Sequence, residues 1–424
     1  MIVAAHTLGC KLNYAETSDM LRRLAEDGNE VVDFGMVADI YIINTCTVTA
    51  VAEKKCRNAI RQAVAQNPRA QVIVMGCFAQ VAADEIRRIP GVTTVLGNDR
   101  KHLLPELIRN NGEYPAIHSA QSSFRLQYSS GERTRVFFKI QDGCDYFCTY
   151  CAIPLARGRS RSASIEETVC TAKHIAEKHS EDNPGTSLEV VLTGVNTGTF
   201  GQQRGEKLID LLKELDKITG ISRYRISSIE PNLLSDDTID FIAHSRAFLP
   251  HFHIPLQAGS DHVLQLMHRR YDTELYRNKL LYIKERMPDA CIAADVMAGF
   301  NGETEEEFEK VVEYIEEIPI SYLHVFTYSD RPGTAALRME EKIPMHVRRT
   351  HTARLLELSE KKHHLFIDGQ MGKTRPVLWE SSNHGGTMQG WTDNYIRLCR
   401  PYDEASTGTI EQVTITTDNI IYER

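Results

Sequence analysis

Short apolar runs alternate with helix-period segments along most of the chain, and that alternation admits few folds besides parallel sheets covered by helices. In the first hundred residues, 3–8, 40–44 and 71–75 read as strands, with 16–26 and 53–65 as the helices between them. A second series runs from Val136 to about Val325. Its strand candidates are 136–140, 188–192, 224–227, 252–255, 292–297 and 322–326. The segments 165–177, 208–215, 261–267 and 305–318 carry the helical period between them. Six such units suit a partial (βα)6 barrel, whose site is built from loops at the strand carboxyl ends.

The flanking segments differ. The polar stretch 119–135 has no firm period and reads as a linker. Residues 345–367 read as a long charged connecting helix, and beyond Gly372 short strands with tight turns imply a small β-barrel. A chain of 424 residues exceeds what one core usually serves. The expected division is 1–118 for an N-terminal parallel-sheet α/β domain, 130–368 for the barrel and 369–424 for the last domain. Gly369-Gln370-Met371-Gly372-Lys373-Thr374 resembles a P-loop, but its glycine spacing is wrong and it lies between a helix and strands.

The N-terminus lacks the basic region and apolar length of a signal peptide, and no run is long enough to span a bilayer, which predicts a cytoplasmic protein without a membrane. Thiols are kept reduced there, so ten cysteines argue for metal or redox chemistry. The net charge of −8 argues against a uniformly basic nucleic-acid binder but leaves room for local patches. Lys54-Lys55 with Arg57 and Arg61, Arg157 with Arg159 and Arg161, Arg269-Arg270, and Arg348-Arg349 are each a solvated run or a phosphate contact.

Cys144, Cys148 and Cys151 form C-x3-C-x2-C immediately after a strand. A cubane has four irons and takes thiolate ligands, so three close cysteines leave one iron open to a chelating ligand. Structural zinc wants four ligands, usually in two C-x2-C pairs, and no second pair is present. Cys10, Cys46 and Cys77 each follow one of the three N-terminal strands. Thiols at equivalent ends of one parallel sheet converge, which makes a tri-cysteine metal site; the alternative is coincidence among core cysteines. Cys56 falls inside a helical pattern and reads as packing.

The cysteine motif resembles that of the radical S-adenosylmethionine (SAM) superfamily. The motifs around it are similar to those of the methylthiotransferases. They are Gly143-Cys144-Asp145, Cys151-Ala152-Ile153-Pro154, Ala156-Arg157-Gly158-Arg159-Ser160-Arg161-Ser162 and Leu192-Thr193-Gly194-Val195-Asn196. Ser227-Ser228-Ile229-Glu230-Pro231, His253-Ile254-Pro255-Leu256-Gln257-Ala258-Gly259-Ser260 and Ala294-Asp295-Val296 with Gly302-Glu303-Thr304 continue the run. Gly390-Trp391-Thr392-Asp393-Asn394-Tyr395 resembles that family's TRAM domain, an RNA-binding barrel. Gly9-Cys10-Lys11-Leu12-Asn13-Tyr14-Ala15-Glu16-Thr17 looks most like the branch that modifies threonylcarbamoyladenosine in tRNA. The other branches act on isopentenyladenosine in tRNA or on an aspartate of a ribosomal protein. The chain departs from the family pattern at Tyr146, Asn301 and Thr327.

The resemblance implies two [4Fe-4S] clusters, one on Cys144, Cys148 and Cys151 with SAM, and an auxiliary one on Cys10, Cys46 and Cys77. It implies that SAM methylates a sulfur on the auxiliary cluster. A 5′-deoxyadenosyl radical from a second SAM then removes the hydrogen at C2 of the modified adenosine at position 37, which takes up the methylthio group. The partners implied are tRNA, an electron donor of flavodoxin or ferredoxin type and a sulfur donor. An iron–sulfur sensor that binds RNA without turnover is the alternative of another class.

Supporting residues follow from placement near strand ends. Asn196, Glu230, Gln257 and Asp295 either hold SAM or cap helices and turns. Arg157 and Arg159 suit a substrate phosphate or a cofactor carboxylate. Trp391 and Tyr395 either stack on bases or fill the small barrel.

Overall fold

The computed structural model describes residues 1–110, 124–130 and 134–422. Strands β1 (Ile2–Thr7), β2 (Glu30–Val32), β3 (Ile40–Thr45), β4 (Gln71–Gly76) and β5 (Val92–Leu96) form one parallel sheet in the order β2-β1-β3-β4-β5. β3 is buried along its whole length. Tyr41 and Ile43 pack with the helix Ala50–Gln66, whereas Ile40 and Ile42 pack with the helices Lys11–Glu26 and Leu104–Arg109. Side chains alternate across a strand, so a helix on each face makes a continuous apolar run.

The first helix begins at Lys11, five residues before the periodic pattern predicted, with Cys10 as its N-cap. Asn13 explains the early start. Its side-chain amide donates to the Leu8 carbonyl at 2.8 Å and the Thr45 carbonyl at 3.0 Å, tying the first turn to the strand ends. β2 and β5 were not expected; both are edge strands, and neither has the long apolar run of the central three.

The central unit contains β6 (Gln127–Tyr128), β7 (Arg135–Lys139), β8 (Gln141–Asp142), β9 (Arg161–Ser162), β10 (Glu189–Thr193), β11 (Arg223–Ile226), β12 (His251–His253), β13 (Cys291–Ala298) and β14 (Tyr322–Thr327). Parallel ladders join β7-β10-β11 and β12-β13-β14. A parallel bridge between Tyr224 and Phe248 and a bond from the Ile229 amide to the His253 carbonyl at 3.1 Å join the two halves. Six parallel strands thus form the partial barrel the alternation predicted. Its helices include two unforeseen ones, Asp236–His244 and Thr273–Arg286, each N-capped by a side chain, from Ser235 and Asp272.

Within the expected linker, β6 pairs antiparallel with β7, while 119–123 and 131–133 lie outside the described residues. The helix Met345–Asp368 lies along β14, and the Ser359 hydroxyl accepts the Leu323 amide at 2.8 Å, so this connector also covers the barrel's last strand.

β15 (Thr374–Trp379), β16 (Thr387–Thr392), β17 (Arg397–Pro401) and β18 (Ile410–Thr414) form a curled antiparallel sheet, a half-barrel, in the order β17-β16-β15-β18. It closes over Val377, Trp379, Met388, Leu398 and Ile415, and Ile420 bridges back to Leu398 on β17. Residues 369–373 join a helix to a strand, the reverse of a P-loop. Among the described residues no helix is long and apolar enough to cross a membrane.

Candidate active site

Cys10, Cys46 and Cys77 stand at the carboxyl ends of β1, β3 and β4. Glycines turn the chain there. Gly9 has φ +99° and Gly76 φ +98°, and a Cβ on Gly9 would lie 2.9 Å from the Cys46 sulfur. Only glycine adopts such angles without strain, and here it also lets the strand ends close together. Cys10 and Cys77 both act electrostatically on Cys46, whose thiol burial pushes up to about 12. All three thiols stand at the same end of the sheet. Cys56 packs beneath, accepting the Cys46 amide at 3.4 Å.

The second triad lies on the loop after β8. The Cys144 amide donates to the Gly158 carbonyl at 3.1 Å and the Cys151 amide to the Cys148 carbonyl at 3.0 Å, which folds the loop tightly. Burial pushes the thiols of Cys144 and Cys151 up to about 11 and about 12. Burial raises Cys148 as well, against the opposing charge of Arg269. Arg269 donates to the Cys148 sulfur at 3.2 Å and to the Tyr150 hydroxyl at 3.3 Å, and forms an ion pair with Glu230. Arg269, expected from the sequence in a solvated run or at a phosphate, is instead buried, with its side chain 2% exposed.

The residues proposed for SAM fall into two groups. Gln257 and Asp295 line a cavity with Cys151, and Thr47, Val48 and Thr49, just after Cys46, form its other wall. Gln257 holds φ +67° there, and its amide donates to the Asp295 carbonyl at 2.7 Å. Asn196 and Glu230 lie at the neighbouring strand ends. Both side-chain atoms of Asn196, the Thr193 hydroxyl and the Ser227 hydroxyl are buried without a hydrogen bond. Buried polar groups are rarely left so, and four such atoms at the ends of β10 and β11 fit a polar ligand.

Arg157 is buried between the two sheets, where it donates to Asn13 Oδ1 at 2.5 Å, to Glu16 at 3.2 Å and to Asp142 at 2.8 Å. Lys101 and Lys139 complete the cluster on Glu16. Burial raises the Glu16 carboxyl, but Arg157, Lys101 and Lys139 together hold it well below the usual carboxylate range. Arg159 is exposed, 3.3 Å from Asp145 and over the Phe147 ring.

Trp391 stacks on Tyr395 at 4.4 Å and Tyr395 on His251 at 4.3 Å, while Arg135 and Arg397 lie over Trp391. These rings join the C-terminal sheet to the barrel and lie outside the half-barrel's own core of Val377, Trp379, Met388 and Leu398. Arg225 fixes the same joint by donating to the Thr392 and Asp393 carbonyls at 2.8 and 3.0 Å.

The barrel lumen is polar. His253 Nε2 lies 2.8 Å from Asp295, and His324 stands beside them, with its ring 5.2 Å from that of His253. At the three departures from the family pattern the side chains are bonded. Tyr146 donates to Asn232 at 3.0 Å, Asn301 to the Ala336 carbonyl at 2.9 Å, and Thr327 meets Thr352 at 2.8 Å.

Residues 2–97 match an uncharacterized protein family, UPF0004, and residues 138–315 match the Radical SAM superfamily. A Bacillus subtilis protein named threonylcarbamoyladenosine tRNA methylthiotransferase MtaB is 37% identical across 97% of this chain and 93% of its own length. The chain belongs to the radical SAM tRNA methylthiotransferases. It is therefore an enzyme, which sets the sensor alternative aside. A relative of the same name from Aquifex aeolicus is 37% identical across 94% of this chain and 97% of its own length. A tRNA-2-methylthio-N(6)-dimethylallyladenosine synthase from Thermodesulfovibrio yellowstonii is 29% identical across 96% of this chain and 94% of its own length.

The fold is also similar to the radical SAM methyltransferase TsrM of Kitasatospora setae, with TM-score 0.54 and 14% identity over 77% of this chain and 74% of that one. The superfamily implies a [4Fe-4S] cluster and SAM. Three close thiols beside unpartnered polar atoms have the donor chemistry that both groups require.

Proposed function

We propose that this enzyme methylthiolates C2 of N6-threonylcarbamoyladenosine at position 37 of tRNA. The observation that carries the proposal is a cavity lined by Cys151 with Gln257 and Asp295 on one side and by Thr47–Thr49, next to Cys46, on the other. A substrate in that cavity lies between the two triads. The relatives at 37% identity supply the choice of threonylcarbamoyladenosine, because both names specify it.

In this reading Cys144, Cys148 and Cys151 would hold one [4Fe-4S] cluster, the one that works with SAM, and Cys10, Cys46 and Cys77 would hold a second. Bound there, the clusters and SAM supply a methylated sulfur and the radical chemistry that replaces the C2 hydrogen. The chain's own residues position and shield. Arg269 donates a charged hydrogen bond to the Cys148 sulfur, which favours the more negative state of the group held there. Asn196, Glu230, Gln257 and Asp295 offer polar atoms to SAM. Met297, Phe326 and Tyr328 give the cavity an apolar wall that limits water.

Three units, 1–118, 130–368 and 369–424, divide the work as cluster carrier, radical barrel and RNA-binding TRAM unit. Exposed Arg159 contacts a tRNA phosphate, whereas Arg157, Trp391 and Tyr395 hold the units in place. A flavodoxin- or ferredoxin-type electron donor and a sulfur donor complete the system, in the cytoplasm.

The test is turnover by the reconstituted protein on two tRNAs, one with threonylcarbamoyladenosine and one with isopentenyladenosine at position 37. The 2-methylthio product should form only on the first. Product only on the second contradicts the proposal.

A further inference from the structure

His253 ends β12, Asp295 lies within β13 and His324 within β14, three adjacent strands of the barrel. The parallel ladders pair His253 with Ala293 and Asp295 with His324. Side chains alternate along a strand, so Asp295 points to the same face as Ala293, two residues before it. Register alone therefore brings two imidazoles and one carboxylate to one face of one sheet.

The side chains meet there. His253 Nε2 lies 2.8 Å from Asp295 Oδ1, and a ring nitrogen of His324 completes a set whose atoms all lie within 4.8 Å of one another. A plain His–Asp hydrogen bond needs only the first two residues; His324 is the addition. Its ring is flanked by those of Tyr322 and His253, each 5.2 Å away. Ligand atoms about 2.0–2.2 Å from a zinc ion stand roughly 3.3 Å from one another. The set is within a small side-chain rotation of that geometry, and His324, the exposed member, is the one placed to turn.

The site can be reached from solvent. His324 lines a cleft of about 740 Å³ with Tyr322, His363, Trp391 and Tyr395, between the barrel's last strand and the half-barrel. Asp295 also lines the cavity beside Cys151. Imidazole with carboxylate suits zinc and its neighbours among the divalent transition metals, whereas magnesium and calcium take oxygen ligands. Three protein ligands leave a coordination position open.

We propose that His253, Asp295 and His324 form a binding site for one divalent transition-metal ion of the zinc class, with an open position toward the cleft that takes an oxygen donor such as water. This goes beyond the methylthiolation reading and does not depend on it, because none of the six cysteines takes part. Asp295 uses Oδ1 here, and its other oxygen remains for the cavity it shares with Gln257.

The test uses the enzyme reconstituted with iron and sulfide, and zinc as the probe. Zinc retained after dialysis, zinc affinity and zinc K-edge absorption are measured for wild type and His324→Ala, with iron content alongside. Wild type should hold about one zinc ion per chain, with two imidazoles and further oxygen neighbours at about 2.0–2.2 Å and no sulfur. His324→Ala should weaken zinc binding by at least about 100-fold, since the loss of an outer partner alone costs about 10- to 100-fold. Its iron content should match wild type. No retained zinc in wild type, sulfur among the zinc neighbours, or equal zinc affinity in His324→Ala overturns the proposal. If His324→Ala loses iron, the wild-type stoichiometry and neighbours decide alone.

Discussion

Arg157, at the end of the helix after the barrel's cysteine loop, lies 3.2 Å from Glu16 of the first N-terminal helix, and both side chains are fully buried. The pair belongs to a cluster in which Glu16 and Asp142 face Lys101, Lys139, Arg157 and Arg161. Two residues, Glu16 and Lys101, come from the N-terminal unit and the rest from the barrel. The cluster therefore fixes how the sheet bearing Cys10, Cys46 and Cys77 meets the barrel bearing Cys144, Cys148 and Cys151.

Replacing Glu16 with Gln should cost about 3–5 kcal/mol, because it leaves buried cations without their counter-charge. The midpoint of urea denaturation should fall. Methylthiolated product should fall further than 5′-deoxyadenosine, since radical formation needs only the barrel triad while transfer needs both. Equal losses in the two products would show that the cluster does not align the units.

Replacing Cys10, Cys46 and Cys77 together with Ala should lower the iron of the reconstituted protein from about eight to about four per chain. Reductive cleavage of SAM should continue at the remaining triad. Unchanged iron would reject the auxiliary site.

Arg269 donates to the Cys148 sulfur at 3.2 Å, and hydrogen bonds to ligand sulfurs tune cluster potential. Arg269→Met should keep iron at the barrel triad and slow SAM cleavage by about 10- to 100-fold, the usual weight of such outer partners. A potential and rate matching wild type would assign Arg269 to packing alone.

His351 reports on pH. Burial alone would lower its pKa, but bonds from its two ring nitrogens to Glu303 at 3.2 Å and Glu305 at 3.1 Å raise it above 6.5, and the ring stacks on Phe308 at 3.6 Å. A raised value means that the folded state holds the proton more tightly than the unfolded chain. The stabilisation is therefore complete below about pH 6.5 and is lost as pH rises through the folded value. Wild-type thermal midpoints should fall between about pH 6 and about pH 8.5 by more than those of His351→Gln. Parallel curves would remove His351 from the account.

The strand ends that carry the six cysteines were legible because apolar runs and the glycines beside Cys10 and Cys77 mark them locally. All six barrel strands were found for the same reason. β2 and β5 were not, because at a sheet edge such strands lack a long apolar run. The buried arginines were the larger gap. Arg157 and Arg269 sit in sequence among other charges, and what buries them comes from far along the chain, Asn13 and Glu16 for one and Cys148 and Glu230 for the other.

Nucleoside mass spectrometry of tRNA from cells lacking this protein tests the central claim most directly. The account predicts that 2-methylthio-threonylcarbamoyladenosine disappears while threonylcarbamoyladenosine remains, and that the wild-type protein restores it while a Cys46→Ala variant does not. Persistence of the methylthio group on threonylcarbamoyladenosine would contradict it.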